Sequence, residues 1–213
     1  AQALLRDLER LLAAYATVNQ SPLGAAAGFG TSWPIDRQRT AELLGFDSVQ
    51  LNSIDCLSSR WEMEAETASA FSFLMTHLAL VSQDLIFLST AEAAMVRLDD
   101  AVVQGSSIMP QKRNPDPLEV TRAKAALAQS AFQTLTGIAR GGLSGYNRDL
   151  QYSKYVVMDL LRECGSAPAV IERVVRGLEP DRRRMREMAG RDFLNAVDVA
   201  DALTRKGLPF RQA

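Results

Sequence analysis

The stretch FSFLMTHLALVSQDLIFL, residues 71–88, decides the fold. Phe71, Leu74, Leu78, Val81, Leu85 and Leu88 recur every three or four positions, and Phe73, Leu80 and Phe87 form a second apolar stripe beside them. That period is helical, not the alternation of a strand. One neighbour cannot cover a helix apolar on two faces, so the pattern predicts several packed helices and association through long helices. The helical pattern runs from about 55 to 90, or roughly 50 Å at 1.5 Å per residue. His77, Gln83 and Asp84 interrupt the apolar run before it reaches membrane-spanning length, so no membrane partner is expected.

Upstream, Leu4, Leu8, Leu11, Tyr15 and Val18 predict an amphipathic helix over 1–18. Residues 19–34, with Ser21, Pro22, the small residues Gly24 to Gly28, Gly30 and Pro34, read as loop, after which Asp36 caps a short helix closed by Gly45. Downstream, a loop over 99–114 precedes Asn114-Pro115, an N-cap followed by a first-turn proline, and a helix to about Arg140. After the break at 141–145, Val157, Leu160, Cys164, Ala167, Ile171, Val174 and Leu178 restore the helical period to about Gly177. Pro168 is expected to kink this helix without ending it. A charged turn at 179–184 leads to short amphipathic pieces near Gly207 and Pro209. The expected architecture is all-α, a long-helix bundle over 1–186 and the beginning of a C-terminal helical domain over 187–213. No cap opens the first helix, and both ends read as interior segments of a longer protein.

Composition agrees with helix: alanine outnumbers glycine and proline together. The 24 Lys+Arg balance 25 Asp+Glu for a net charge of -1, which excludes the basic footprint of a nucleic-acid or anionic-membrane binder. Cys56 and Cys164 are too far apart in sequence to form a recognised metal set with the single His77. Free thiols in the cytoplasm, and neither metal nor cofactor, are therefore expected. His77, inside the apolar helix, reads as a structural, hydrogen-bonded histidine.

The chemistry concentrates in GSSIMPQKRNP, residues 105–115. Two hydroxyls, two cations and an amide stand immediately before a helix N-terminus, a place that attracts a carboxylate. This stretch resembles the GSSxMPxKxN loop of the fumarase/aspartase superfamily. Within it, PQKRNPD at 110–116 with Leu118-Glu119 resembles the argininosuccinate lyase family. So do NQSPLGAAA at 19–27 leading to PIDR at 34–37, NSID at 52–55 leading to Ser59-Arg60, GYNRDLQ at 145–151 with Lys154, and RKGLPFRQA at 205–213.

The resemblance implies reversible β-elimination of argininosuccinate to arginine and fumarate, in arginine biosynthesis, by a homotetramer. It implies Ser106 as general base, Lys112 as a cation that stabilises the doubly charged aci-carboxylate, and Glu119 as the acid that orients the family's histidine. Arg60, Ser107, Asn114, Tyr146, Gln151 and Lys154 would contact substrate. Arg60 offers a planar fork, Lys154 a point charge, and Tyr146 and Gln151 neutral hydrogen bonds. The family's histidine, with an early serine and asparagine, would precede residue 1, so the chain alone is expected to be nearly inactive. The alternatives are another fumarate-releasing lyase, such as adenylosuccinate lyase or aspartase, and a non-catalytic, oligomerising helical module.

Overall fold

The computed structural model describes residues 1–27 and 29–213; Gly28, read above as part of a loop, lies outside the described residues. The protein is all-α, with nine α-helices and only two-residue strands among the described residues. It divides into two compact units, each built from two stretches of chain: 1–83 with 116–172, and 84–115 with 173–213. The expected boundary at 186/187 falls inside a helix, α8 below.

The first unit contains α1 (Gln2–Val18), α2 (Arg37–Leu44), α3 (Ser53–Ser58), most of α4 (Arg60–Leu88), α5 (Asp116–Ile138), α6 (Ser153–Cys164) and the start of α7 (Ala167–Arg176). Met75, Leu118, Leu135, Leu160 and Cys164 are almost fully buried there, interleaved with Ala65, Ala68, Ala125, Ala128 and Ala131. Such small residues let backbones approach. The Ser72 hydroxyl on α4 donates to the Ala128 carbonyl on α5 at 3.0 Å. α6 is fastened to α4 by the Ser153 hydroxyl on Glu64 (2.9 Å) and to α5 by Lys124, whose ammonium donates to the Glu163 carbonyl (2.6 Å).

His77 faces Asp7, a fully buried carboxylate on α1, across 2.7 Å, and Arg10 reaches the same carboxylate at 2.8 Å. The histidine is hydrogen-bonded and structural, as its apolar setting predicts. By length and apolarity alone α4 passes for a membrane span, which corrects the expectation that the run is too short. Its middle, however, makes this buried polar pairing with α1, the kind of partner such groups need away from water.

Three elements differ from the sequence reading. The helix expected over 55–90 is broken at Ser59, which has φ -92° and ψ 10° at the end of α3 and whose hydroxyl donates to the Asp55 carbonyl (2.7 Å) and accepts from Gln50 (2.9 Å); α4 begins at Arg60. Asn114 is not a simple cap: its backbone N–H and carbonyl are both joined to Gln104, and α5 opens at Asp116. Pro168 lies in a separate helix. Without an N–H it cannot continue the ladder from Cys164, and α6 stops there while α7 starts at Ala167. Gly165 stays in the right-handed region, so the ladder is interrupted without a sharp reversal of the chain.

The second unit holds the end of α4, a loop-rich stretch to Pro115, the end of α7, α8 (Arg182–Ala189) and α9 (Ala196–Arg205). Its few buried apolar residues are Ala93, Val96, Leu98 and Val174. Strand Val96–Arg97 pairs antiparallel with Glu179–Pro180. Arg184 spans the Ala93 and Glu92 carbonyls at 3.0 and 2.8 Å, and Asp181 caps α8 through the Arg184 N–H. Asp99 accepts the Ala101 N–H (3.0 Å) and pairs with Arg173 (3.0 Å); these two groups, in that order, hold its carboxyl below the ordinary carboxylate value.

Candidate active site

Loop 105–113 is closed at its neck. Gln104 and Asn114 exchange both backbone hydrogen bonds, at 2.9 and 2.8 Å, an isolated antiparallel bridge. Inside the loop, the half-buried Ser106 oxygen accepts the N–H groups of Ile108 and Met109, each at 3.2 Å. Two backbone dipoles therefore point at the one oxygen that would carry charge if its proton left. Lys112 is exposed and its ammonium has no partner among the described residues, which leaves it available to an anion. Ser107 is exposed and Asn114 half-buried.

The other expected residues stand in the first unit. Tyr146 and Gln151 are brought together, the Gln151 amide donating to the Tyr146 hydroxyl at 2.7 Å. Between them the chain turns through a short 3₁₀ segment in which the Gln151 N–H donates to the Arg148 carbonyl (3.1 Å). Just before Tyr146, Gly145 has φ 105°, which glycine adopts without strain, and its N–H donates to Ser58 on α3 at 2.8 Å. Lys154, in the first turn of α6, lies 4.9 Å from the Tyr155 ring centroid. Glu119 is exposed in the first turn of α5. Arg60, the first residue of α4, is half-buried on the wall of a cavity of about 390 Å³ with Gln20, Gln50, Ser59 and Glu64. No hydrogen bond or ion pair joins Arg60, Glu119 or Lys154 to another expected residue among those described. A cavity of about 440 Å³ in the second unit takes Val103, Arg113 and Pro115 from the two ends of the loop and none of the expected residues.

A family model described as "Lyase" matches residues 1–129, more than half of the chain. The chain belongs to the lyase family. Among curated relatives of this lyase-family chain, the argininosuccinate lyase of Arthrospira platensis is 43% identical over 210 residues, covering 98% of this chain and 45% of its own length. That of Natronomonas pharaonis is 45% identical over 213 residues, covering 100% and 43%. The chain thus spans a little under half the length of these relatives. A solved EDDS lyase in complex with formate superimposes with a TM-score of 0.86 at 32% identity, over 99% of this chain and 42% of that one. A class II fumarase from Schistosoma mansoni, at 18% identity over 87% of this chain and 44% of its own, has a TM-score of 0.72 and shares the fold.

The structure also gives this lyase-family chain functional supports that residue-type reasoning passes over. Asn52, in the NSID segment, caps α3 by accepting the N–H groups of Ile54 and Asp55. Arg37, in the PIDR segment, donates to the carbonyls of Leu23 (2.9 Å), Gln50 (2.7 Å) and Leu51 (3.0 Å), tying the long loop to the approach to α3. Gly24 has no side chain because a Cβ there would sit 2.7 Å from the Arg37 chain. Arg113 is the fourth such residue: its guanidinium reaches the Leu98 carbonyl and Asp100. The signal available in the sequence was only that each lies inside or next to a stretch resembling the family.

Proposed function

We propose that the protein to which this chain belongs is an argininosuccinate lyase, a carbon–nitrogen lyase that reversibly eliminates fumarate from argininosuccinate and releases arginine. The observation that carries this reading is the Ser106 oxygen faced by two backbone N–H groups, on a loop whose Lys112 has no partner among the described residues. The relatives supply the substrate. Ser106 takes the proton from the carbon beside a carboxylate, and the electron pair spreads into that carboxylate as the aci form. The pair then closes the carbon–carbon double bond as the carbon–nitrogen bond breaks, and its electrons leave on nitrogen, which gains a proton. A free hydroxyl is far too weak an acid to act as a base near neutrality. The N–H groups of Ile108 and Met109 lower the cost of the alkoxide, and Lys112 stabilises the growing carboxylate charge. Ser107, Asn114, Arg60, Tyr146, Gln151 and Lys154 bind the substrate's carboxylates and amino-acid end, and Glu119 orients the partner acid–base group. No metal or cofactor enters this scheme.

The same reading makes the protein a cytoplasmic homotetramer of arginine biosynthesis. Supporting assembly, Phe73, Leu80 and Phe87 are 49%, 60% and 61% exposed along one line of α4, the second stripe of the sequence. Large exposed apolar patches mark interaction surfaces. Light scattering should give the mass of four copies; a folded monomer would overturn the assembly.

The EDDS lyase likeness, including a variant solved with bound fumarate, favours as second reading a lyase that releases fumarate from another amine adduct. Fumarate release from argininosuccinate, adenylosuccinate and aspartate, measured on the longest natural form of the protein, separates these. Release from argininosuccinate alone is expected. Release only from another substrate would replace the first reading, and none from any would leave the helical module.

A further inference from the structure

The reactive loop is anchored asymmetrically. At its C-terminal end Arg113 donates through Nη2 to the carbonyl of the buried Leu98 at 2.9 Å, and its other terminal nitrogen pairs with Asp100. Asp100 also faces Arg97 at 3.5 Å, and Arg97 reaches Glu179 at 3.6 Å. A chain of alternating charge thus runs from the loop to the strand 179–180. At the N-terminal end Gln104 and Gly105 are exposed, and among the described residues the backbone bridge from Gln104 to Asn114 is what holds them. Arg113 sits between Lys112 and Asn114, two residues expected to meet substrate, and the reaction scheme gives it no task.

We propose that Arg113 is a positioning residue: its ionic latch to Asp100 and Leu98 fixes the corner 112–114, so that the loop closes by movement of 105–111 about a stationary Lys112. This rests on reading 105–115 as the reactive loop of a lyase. The planar fork is what allows one side chain to hold a carbonyl and a carboxylate at once, which a lysine ammonium does less well. Arg113 and Asp100 are 43% and 66% exposed, so the latch is weak and screened by salt. Those are suitable properties for a hinge and poor ones for a folding contact.

The test uses Arg113→Met, Arg113→Lys, Asp100→Asn and the double variant Arg113→Met/Asp100→Asn, each in the longest natural form of the protein. Amide exchange at residues 104–114, turnover of argininosuccinate and the global unfolding midpoint are read together. Arg113→Met and Asp100→Asn should each speed exchange of the Gln104 and Asn114 amides and lower kcat by about three- to tenfold, the scale of a broken hydrogen-bonded ion pair. KM and the unfolding midpoint should change little. The double variant should be no worse than either single one, because both remove the same contact, and Arg113→Lys should recover part of the loss. Added salt should lower the wild-type kcat and leave that of Arg113→Met unchanged. Additive losses, wild-type exchange in Arg113→Met, or equal salt dependence in both would overturn the latch. If Arg113→Met unfolds, Arg113→Lys and Asp100→Asn decide the matter. If the wild type releases no fumarate, the lyase reading fails, and the exchange measurements alone judge the latch.

Discussion

The two units are held together by different physics. In the first, Leu118, Leu135 and Leu160 are almost fully buried among close-packed alanines, and each would cost several kcal/mol to truncate. In the second, four modest apolar residues are buried. Arginines do much of the fastening: Arg184 on two carbonyls, Arg173 on Asp99, Arg97 on Glu179 and Arg113 on Asp100. Partly exposed ion pairs contribute little each and respond to salt. The lesson is a division of labour: Tyr146, Gln151 and Lys154 stand on a packed frame, whereas the Ser106 loop stands on polar ties that release cheaply.

The largest expected effect touches chemistry and neither unit's stability. Ser106→Ala should lower kcat and kcat/KM together by about 100- to 10,000-fold, or roughly 3 to 5 kcal/mol, with binding largely intact. Lys112→Met should weaken both binding and turnover, since its charge meets the ground-state carboxylate too. Steady-state kinetics with direct binding measurements separate the two, and a Ser106→Ala enzyme keeping more than about a tenth of kcat would remove it as the base.

Next comes the packed frame. Leu135→Ala should destabilise the first unit by about 2 to 5 kcal/mol, read from denaturant unfolding, without faster amide exchange at 104–114. Equal loosening of the loop would erase the proposed distinction between the units. Arg184→Met removes two charge-assisted hydrogen bonds to carbonyls and should cost about 1 to 3 kcal/mol, seen as faster exchange around 92–95 and 181–185 with the first unit unaffected.

The smallest effect is with pH. The Ala101 N–H and the Arg173 guanidinium hold Asp99's carboxyl below its ordinary value of 3.8. Its contribution is therefore complete above that value and is lost as pH falls through the lower, folded one. Protection of the amides at residues 99–102, taken relative to their intrinsic exchange, should hold at about pH 5 and fall only in acid below the ordinary carboxylate value, a step that Asp99→Asn should lack. An unchanged acid profile in Asp99→Asn would sink this assignment.

Much of the fold was legible because periodicity reports helix directly. Leu4 to Val18, the Asp36 cap with Gly45 behind it, and the glycine-rich break at 141–145 lie where the sequence puts them. The break at Ser59 was not legible, since no residue type there stops a helix, and the Gln50 amide that donates to its hydroxyl lies nine positions away. The expected kink at Pro168 became an interruption at Gly165 and Ser166, because the proline has no N–H for the Cys164 carbonyl and the ladder resumes only with the Val170 N–H on the Ser166 carbonyl (3.1 Å). The loop's residue types were readable from 105–115, but the two N–H groups converging on Ser106 and the bridge between Gln104 and Asn114 are properties of its folded backbone.

Sequence by itself determined that this chain is all-α, that its central helix has two apolar faces, and that hydroxyls, cations and amides crowd one loop ahead of a helix. Each of these depends on local spacing and residue type, which the order of residues contains in full. Tertiary structure alone decided which face of α4 is buried and which carries Phe73, Leu80 and Phe87 outward. It also decided that His77 answers a buried Asp7 seventy residues away, and that Arg113, not Lys112, anchors the loop. Those outcomes turn on which long-range partner reaches a group first and excludes water from it, a competition among distant segments that no local pattern records.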